Sequence, residues 1–153
     1  MLIVLVKDAI LNIMNTAEKA RSIFKDIVSK ESGRIGDNYI IYSAFNYSFL
    51  VFAQAILTLS NYLVVKRKTR TPKSFVESLS LLIEEGVIPE DLEEYVELLV
   101  NLRDSILHSD PERKIERIKQ MIENFGKFEI FYESIVSEVR KIIGESQIER
   151  SNH

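Results

Sequence analysis

The chain has 153 residues, enough for one domain with a real hydrophobic core and no staples. It has no cysteine, which excludes a disulfide framework, a thiolate zinc site and a cysteine nucleophile. Five glycines and three prolines, with abundant Leu, Ile, Glu and Lys, point to an all-helical protein; the net charge of −3 carries no message of its own.

Val6, Ile10, Ile13, Ala17, Ala20, Phe24 and Ile27 recur in steps of four and three. This predicts a first helix with one apolar stripe, ending near Ser29 before Ser32-Gly33-Arg34-Ile35-Gly36. The apolar run Met1–Val6 is very short and lacks a basic leader, so a signal peptide is not expected.

Tyr39 to Val65 is twenty-seven residues without a charge, followed by Lys66-Arg67-Lys68. Its length and flanking cations satisfy a membrane span. However, Tyr47, Gln54 and Asn61 fall seven apart, with Ser43, Asn46 and Thr58 on or beside that line. A polar stripe suits a buried helix with one face at a polar interface. All the other predicted helices are amphipathic, so this one is read as the central helix of a bundle, not as a membrane anchor.

Lys66, Arg67, Lys68, Arg70 and Lys73 are the cations of residues 37–73, against Asp37 alone; residues 74–112 then carry eleven acids against Arg103. Both are read first as solvated helix faces, with phosphate binding a weaker possibility for the basic cluster. Thr71 with Pro72 is the expected start of a short helix with Phe75, Val76, Leu79, Leu82 and Ile83 on its core face, stopped by Gly86. Glu90 and Asp91 open the next helix, whose core face is Leu92, Val96, Leu99, Leu102 and Ile106. Asp110-Pro111 is expected to cap the last helix. Its stripe is Ile115, Ile118, Ile122, Phe125, Tyr132, Ile135, Val139 and Ile142, with a bend at Gly126. Short connections make neighbouring helices antiparallel. The expected fold is therefore an all-α, up-and-down bundle of about five helices, with residues 1–144 as a single domain and 145–153 as a frayed tail.

The candidate site is Arg103-Asp104-Ser105-Ile106-Leu107-His108, at the end of the fourth helix; the one other histidine is His153. At 100° per residue His108 lies roughly 40° round the helix from Asp104 and roughly 140° from Arg103. Asp104 is placed to accept a hydrogen bond from His108 and fix its tautomer. Arg103 starts on another face, but its reach allows it to converge with the imidazole on a phosphate. Against this, His and Arg at a helix end also simply favour the negative pole of the dipole. One internal histidine cannot build a histidine-rich metal site, and no Gly-rich phosphate loop is present. No cofactor is expected.

The run Ser74-Phe75-Val76-Glu77 through Gly86-Val87-Ile88-Pro89, then Leu98-Leu99-Val100-Asn101-Leu102-Arg103-Asp104 to His108, resembles the HepT-like branch of the HEPN superfamily. The resemblance covers nearly the whole chain. It implies a HEPN-like helical bundle that dimerises, with Arg and His of both subunits in a cleft between them. It further implies a metal-independent endoribonuclease, the toxin of a toxin–antitoxin pair with a minimal nucleotidyltransferase as antitoxin, acting on RNA in the cytoplasm. On that mapping Arg103 and His108 are the catalytic pair and Asp104 the polar residue that follows the Arg. The family pattern continues His-x-Tyr, whereas Ser109 and Asp110 follow His108 here, so the tyrosine that some antitoxins adenylylate is missing. A non-catalytic module that binds a nucleotide or a nucleotidyltransferase partner is the alternative.

Overall fold

The structure, a computed structural model, describes residues 2–67, 70–108 and 111–151. Five α-helices make up the described chain: α1 (Leu2–Glu31), α2 (Tyr39–Lys66), α3 (Phe75–Glu84), α4 (Val96–His108) and α5 (Lys114–Ser151). They form the expected all-α bundle.

The apolar α2, without a charge until Lys66, is its axis and packs against all four other helices. Asn38 starts it, its side-chain oxygen accepting from the backbone N–H of Ile40 and Ile41 at 3.0 and 3.1 Å. Phe45, Phe49, Phe52, Ile56, Leu59 and Leu63 are fully enclosed. Phe24 of α1 stacks on Phe125 of α5 at 4.0 Å between ring centroids and on Phe45 at 4.9 Å. By length and composition α2 could cross a membrane. Here its apolar side chains are largely covered by neighbouring helices, and its polar stripe faces groups from α3 and α4.

The stripe of α1 is rotated slightly from the expected one. Ile10, Met14, Ala17, Ala20 and Phe24 are buried, Ile13 is only partly so, and Val6 is exposed. On α5, Ile115 likewise points to solvent while Met121, Phe128 and Phe131 enter the core. This helix runs through Gly126 and Gly144 to Ser151.

The helix after the basic cluster starts at Phe75, later than Thr71-Pro72 suggests. Ser74 is the cap: its hydroxyl accepts from Glu77 N at 3.1 Å, and Glu77 Oε2 reaches back to Lys73 N at 2.8 Å. This Ser-x-x-Glu reciprocity satisfies two orphan donors, which Thr71 cannot match. Gly86, at φ +78°, closes α3. Its N–H donates to Ile83 O at 3.0 Å and that of Val87 to Leu82 O at 2.9 Å, the paired bonds of a Schellman turn. Residues Glu90–Tyr95 form 3₁₀ turns leading into α4, and Pro111–Arg113 form another before α5. The expected cap Asp110 lies outside the described residues.

The described cations of the basic cluster are exposed, and two of them pair with acids on the surface. Arg67 pairs with Glu85 through Nε and with Glu138 at 3.1 Å, and Arg70 meets Glu77 at 3.4 Å. Lys68 lies outside the described residues.

Candidate functional site

Arg103 lies one and a half turns before the end of α4, half-buried over α2 and α3. Leu99 and Leu102 on the same helix are buried, and they press this turn against the core. The guanidinium is held on three sides. Gln54 Oε1 of α2 accepts from Nε at 3.1 Å and from Nη2 at 2.8 Å. Asp104 Oδ1 accepts from Nη1 at 2.9 Å. The ring of Phe75 on α3 lies 5.6 Å from the guanidinium carbon, within cation–π range. Gln54 is itself fixed, since its amide nitrogen donates to Thr58 Oγ1 one turn along α2, at 3.1 Å.

Arginine has five N–H donors, and these contacts use three, so two N–H bonds of Arg103 have no partner among the described residues. The planar fork suits the oxygens of a phosphate. A cavity of about 390 Å³ opens beside it between α1, α2 and α4, lined by Ile13, Val51, Ala55 and Leu107 as well as Gln54 and Arg103.

Of the three residues singled out in the sequence, the structure brings together Arg103 and Asp104. Asp104 serves Arg103 and not His108. A charge-assisted bond to the adjacent guanidinium holds the carboxylate. His108 is the last residue of α4, exposed, with no hydrogen-bond partner among the described residues. Gln54, Thr58 and Phe75 complete the setting of Arg103. Gln54 and Thr58 were visible as a polar line on α2, but nothing in the sequence names Arg103 as their partner. The same line continues to Asn61, whose side-chain oxygen accepts from the Ser78 hydroxyl of α3. Tyr47, at its other end, is 68% exposed. Among the described residues, no group of three or more His, Asp or Glu side chains converges as a metal site would.

Comparison with solved structures gives the same fold. A toxin–antitoxin MntA–HpeT mutant matches with a TM-score of 0.74 at 18% identity, over 85% of this chain and 98% of that one. A tri-AMPylated HEPN toxin of Shewanella oneidensis, in complex with its MNT antitoxin, matches with a TM-score of 0.73 at 18% identity, over 85% and 98%. The cytosolic protein YutE of Bacillus subtilis, of unknown function, matches with a TM-score of 0.71 at 18% identity, over 90% and 93%. Among curated proteins, no sequence matches this one. The family model for HepT-like ribonucleases matches residues 13–135, which include α2, α3, α4, Arg103 and His108, and on that match the chain belongs to the HepT-like ribonuclease family of the HEPN superfamily.

Proposed function

We propose that this protein is a metal-independent endoribonuclease, the toxin of a pair with a minimal nucleotidyltransferase antitoxin, and that Arg103 and His108 carry its chemistry. The observation that supports this most is the setting of Arg103: a guanidinium anchored by Gln54, Asp104 and Phe75 beside an open cavity, with two N–H bonds that have no partner among the described residues. That is a preorganised phosphate ligand, costing no reorganisation when charge builds on the phosphate.

In the reaction, the 2′-hydroxyl of the RNA attacks the adjacent phosphorus and the bond to the 5′ oxygen breaks. A base takes the 2′ proton and an acid protonates the departing 5′ oxygen. Arg103 neutralises the non-bridging oxygens. His108 is exposed and has no hydrogen-bond partner among the described residues, so its ring is accessible to substrate. One histidine per chain serves one of the two proton transfers. A twofold homodimer supplies the second His108, and a cleft between subunits is the working site. A nucleotidyltransferase partner is suggested by the toxin–antitoxin complexes among the structural neighbours. With RNA as the substrate, the proposed site of action is the cytoplasm.

A second reading is a non-catalytic module of the same family that binds a nucleotide or a nucleotidyltransferase. The observation favouring it is that Asp104 orients Arg103 and His108 has no orienting partner among the described residues. Incubation of purified protein with RNA in EDTA separates the two. The ribonuclease leaves a 2′,3′-cyclic phosphate on the 5′ fragment and loses activity in His108→Ala. If His108→Ala cuts RNA as fast as the parent, the enzyme reading fails and the module stands.

A further inference from the structure

The cavity beside Arg103 has two kinds of wall. Ile13, Val51, Ala55 and Leu107 make it apolar, and at its end Gln54 is bonded to Thr58 and to Arg103. Across the opening, α1 presents Asn12 and Thr16, one helical turn apart and therefore on one face. Both are exposed, and neither side chain has a hydrogen-bond partner among the described residues. The volume, about 390 Å³, is within the range of small-molecule pockets, roughly 300–1,000 Å³. An apolar slot, an unspent amide and hydroxyl on one rim, and a half-spent guanidinium at one end are complementary to one chemical object: a planar heterocycle with edge donors and acceptors, joined to a phosphate.

We infer that the groove between α1, α2 and α4 is a nucleobase pocket, which takes one base of the RNA whose phosphate lies on Arg103, with Asn12 and Thr16 reading the base edge. The inference rests on Arg103 being a phosphate ligand. The base stacks against Ile13, Val51 and Leu107, losing its water, and an apolar slot of this kind is tolerant of base size. Asn12 then separates bases by edge pattern, because its amide offers a donor and an acceptor together. The pocket would thus give the enzyme a preferred nucleotide beside the cut phosphate.

The test titrates the full chain with nucleoside 3′- and 5′-monophosphates and with ribose 5-phosphate, which has no base. At least one nucleotide is expected to bind about tenfold or more tighter than ribose 5-phosphate, the scale of discrimination an apolar pocket provides. Thr16→Trp, at an exposed helix position, fills the slot; it should abolish that preference and leave ribose 5-phosphate binding unchanged. Asn12→Ala, which fills nothing, should change the ranking among the bases while an overall preference for nucleotides remains. Arg103→Ala should weaken every phosphate compound alike. If nucleotide and ribose 5-phosphate bind equally to the parent, or if Thr16→Trp keeps the preference at an unaltered melting temperature, the base pocket is wrong. Loss of phosphate binding in Arg103→Ala would even then uphold Arg103 as the phosphate ligand. If no phosphate compound binds and Arg103→Ala changes nothing, the proposed site fails and the pocket with it.

Discussion

A single amide oxygen, Gln54 Oε1, receives two N–H bonds from Arg103, at 3.1 and 2.8 Å. The two residues are 49 apart in sequence and belong to α2 and α4. The bond therefore ties the central helix of the bundle to the helix that carries the candidate site. It also sets the direction of the guanidinium fork. The first prediction follows from it. Gln54→Leu keeps much of the side-chain volume but removes the acceptor, so Arg103 turns away from its place. RNA cleavage by purified protein should fall by about 10²-fold, the order expected for a misplaced catalytic group. Gln54→Glu, which restores an acceptor, should recover part of the rate. Equal rates for the parent and Gln54→Leu would show that the contact is only structural.

Removing the chemical groups themselves should cost more. His108→Ala should lower cleavage by roughly 10²–10⁴-fold, the usual size of general acid–base catalysis. Arg103→Ala should be comparably severe. Asp104→Ala should be milder, because Gln54 and Phe75 still hold the guanidinium. Cleavage should survive EDTA. Circular dichroism should show all three variants folded, since none of the three side chains belongs to the buried core.

Shared chemistry requires two subunits. Light scattering at micromolar concentration should report a dimer. A mixed dimer of one parent and one His108→Ala subunit should lose most of the activity rather than about half of it, because the shared cleft then holds one imidazole for two proton transfers. A monomer by light scattering together with full ribonuclease activity would defeat the shared site.

The long apolar helix gives a solubility prediction. With Phe45, Phe49, Phe52, Ile56 and Leu59 wholly enclosed, the protein should stay monodisperse without detergent. Partition of purified protein into liposomes would contradict this.

Alkaline stability should be governed by buried tyrosine. Tyr132 is 1% exposed, and its hydroxyl donates to Met14 O at 3.2 Å. Burial, reinforced by Glu18, pushes its pKa well above the ordinary 10.0, and burial raises that of Tyr62 too. An acid with a raised folded-state pKa binds its proton more tightly folded than unfolded. Its contribution is intact below pH 10 and is lost progressively as pH rises above 10. Urea unfolding should show stability dropping above that pH. Tyr132→Phe should drop less steeply there, and at neutral pH it should cost about 1 kcal/mol for the lost hydrogen bond.

Much of the bundle was legible because a helix writes its buried face into the sequence at a fixed period. Ile10, Ala17, Ala20 and Phe24 were placed correctly by that rule, as were Val96, Leu99 and Leu102. It slips where two apolar residues are adjacent: Met14 took the core position expected of Ile13, and Ile13 turned to the cavity. The start of α3 was written in Ser74 and Glu77, three apart, but a threonine before a proline offered a competing signal. Inside the site, spacing along one helix suggested Asp104 for His108. It could not weigh the competing partner, Arg103, whose flexible side chain folds back onto the adjacent carboxylate. The polar line on α2 marked a face without saying what that face meets. Partners between helices depend on how the helices cross, and a single sequence does not state that.

Gln54 rides on the helix that every other helix covers, whereas His108 is the last residue of its own. Backbone amides near Gln54 can exchange with solvent only when the whole bundle opens, while those in the last turn of α4 can exchange by local opening. The acceptor that holds Arg103 and the imidazole of His108 thus sit on parts of the molecule that open at different free energies. Under the proposed chemistry, the guanidinium keeps its direction in every folded molecule, while the direction of His108 is set by whatever settles against the end of α4. A partner docked there would then regulate cleavage without touching Gln54 or Arg103.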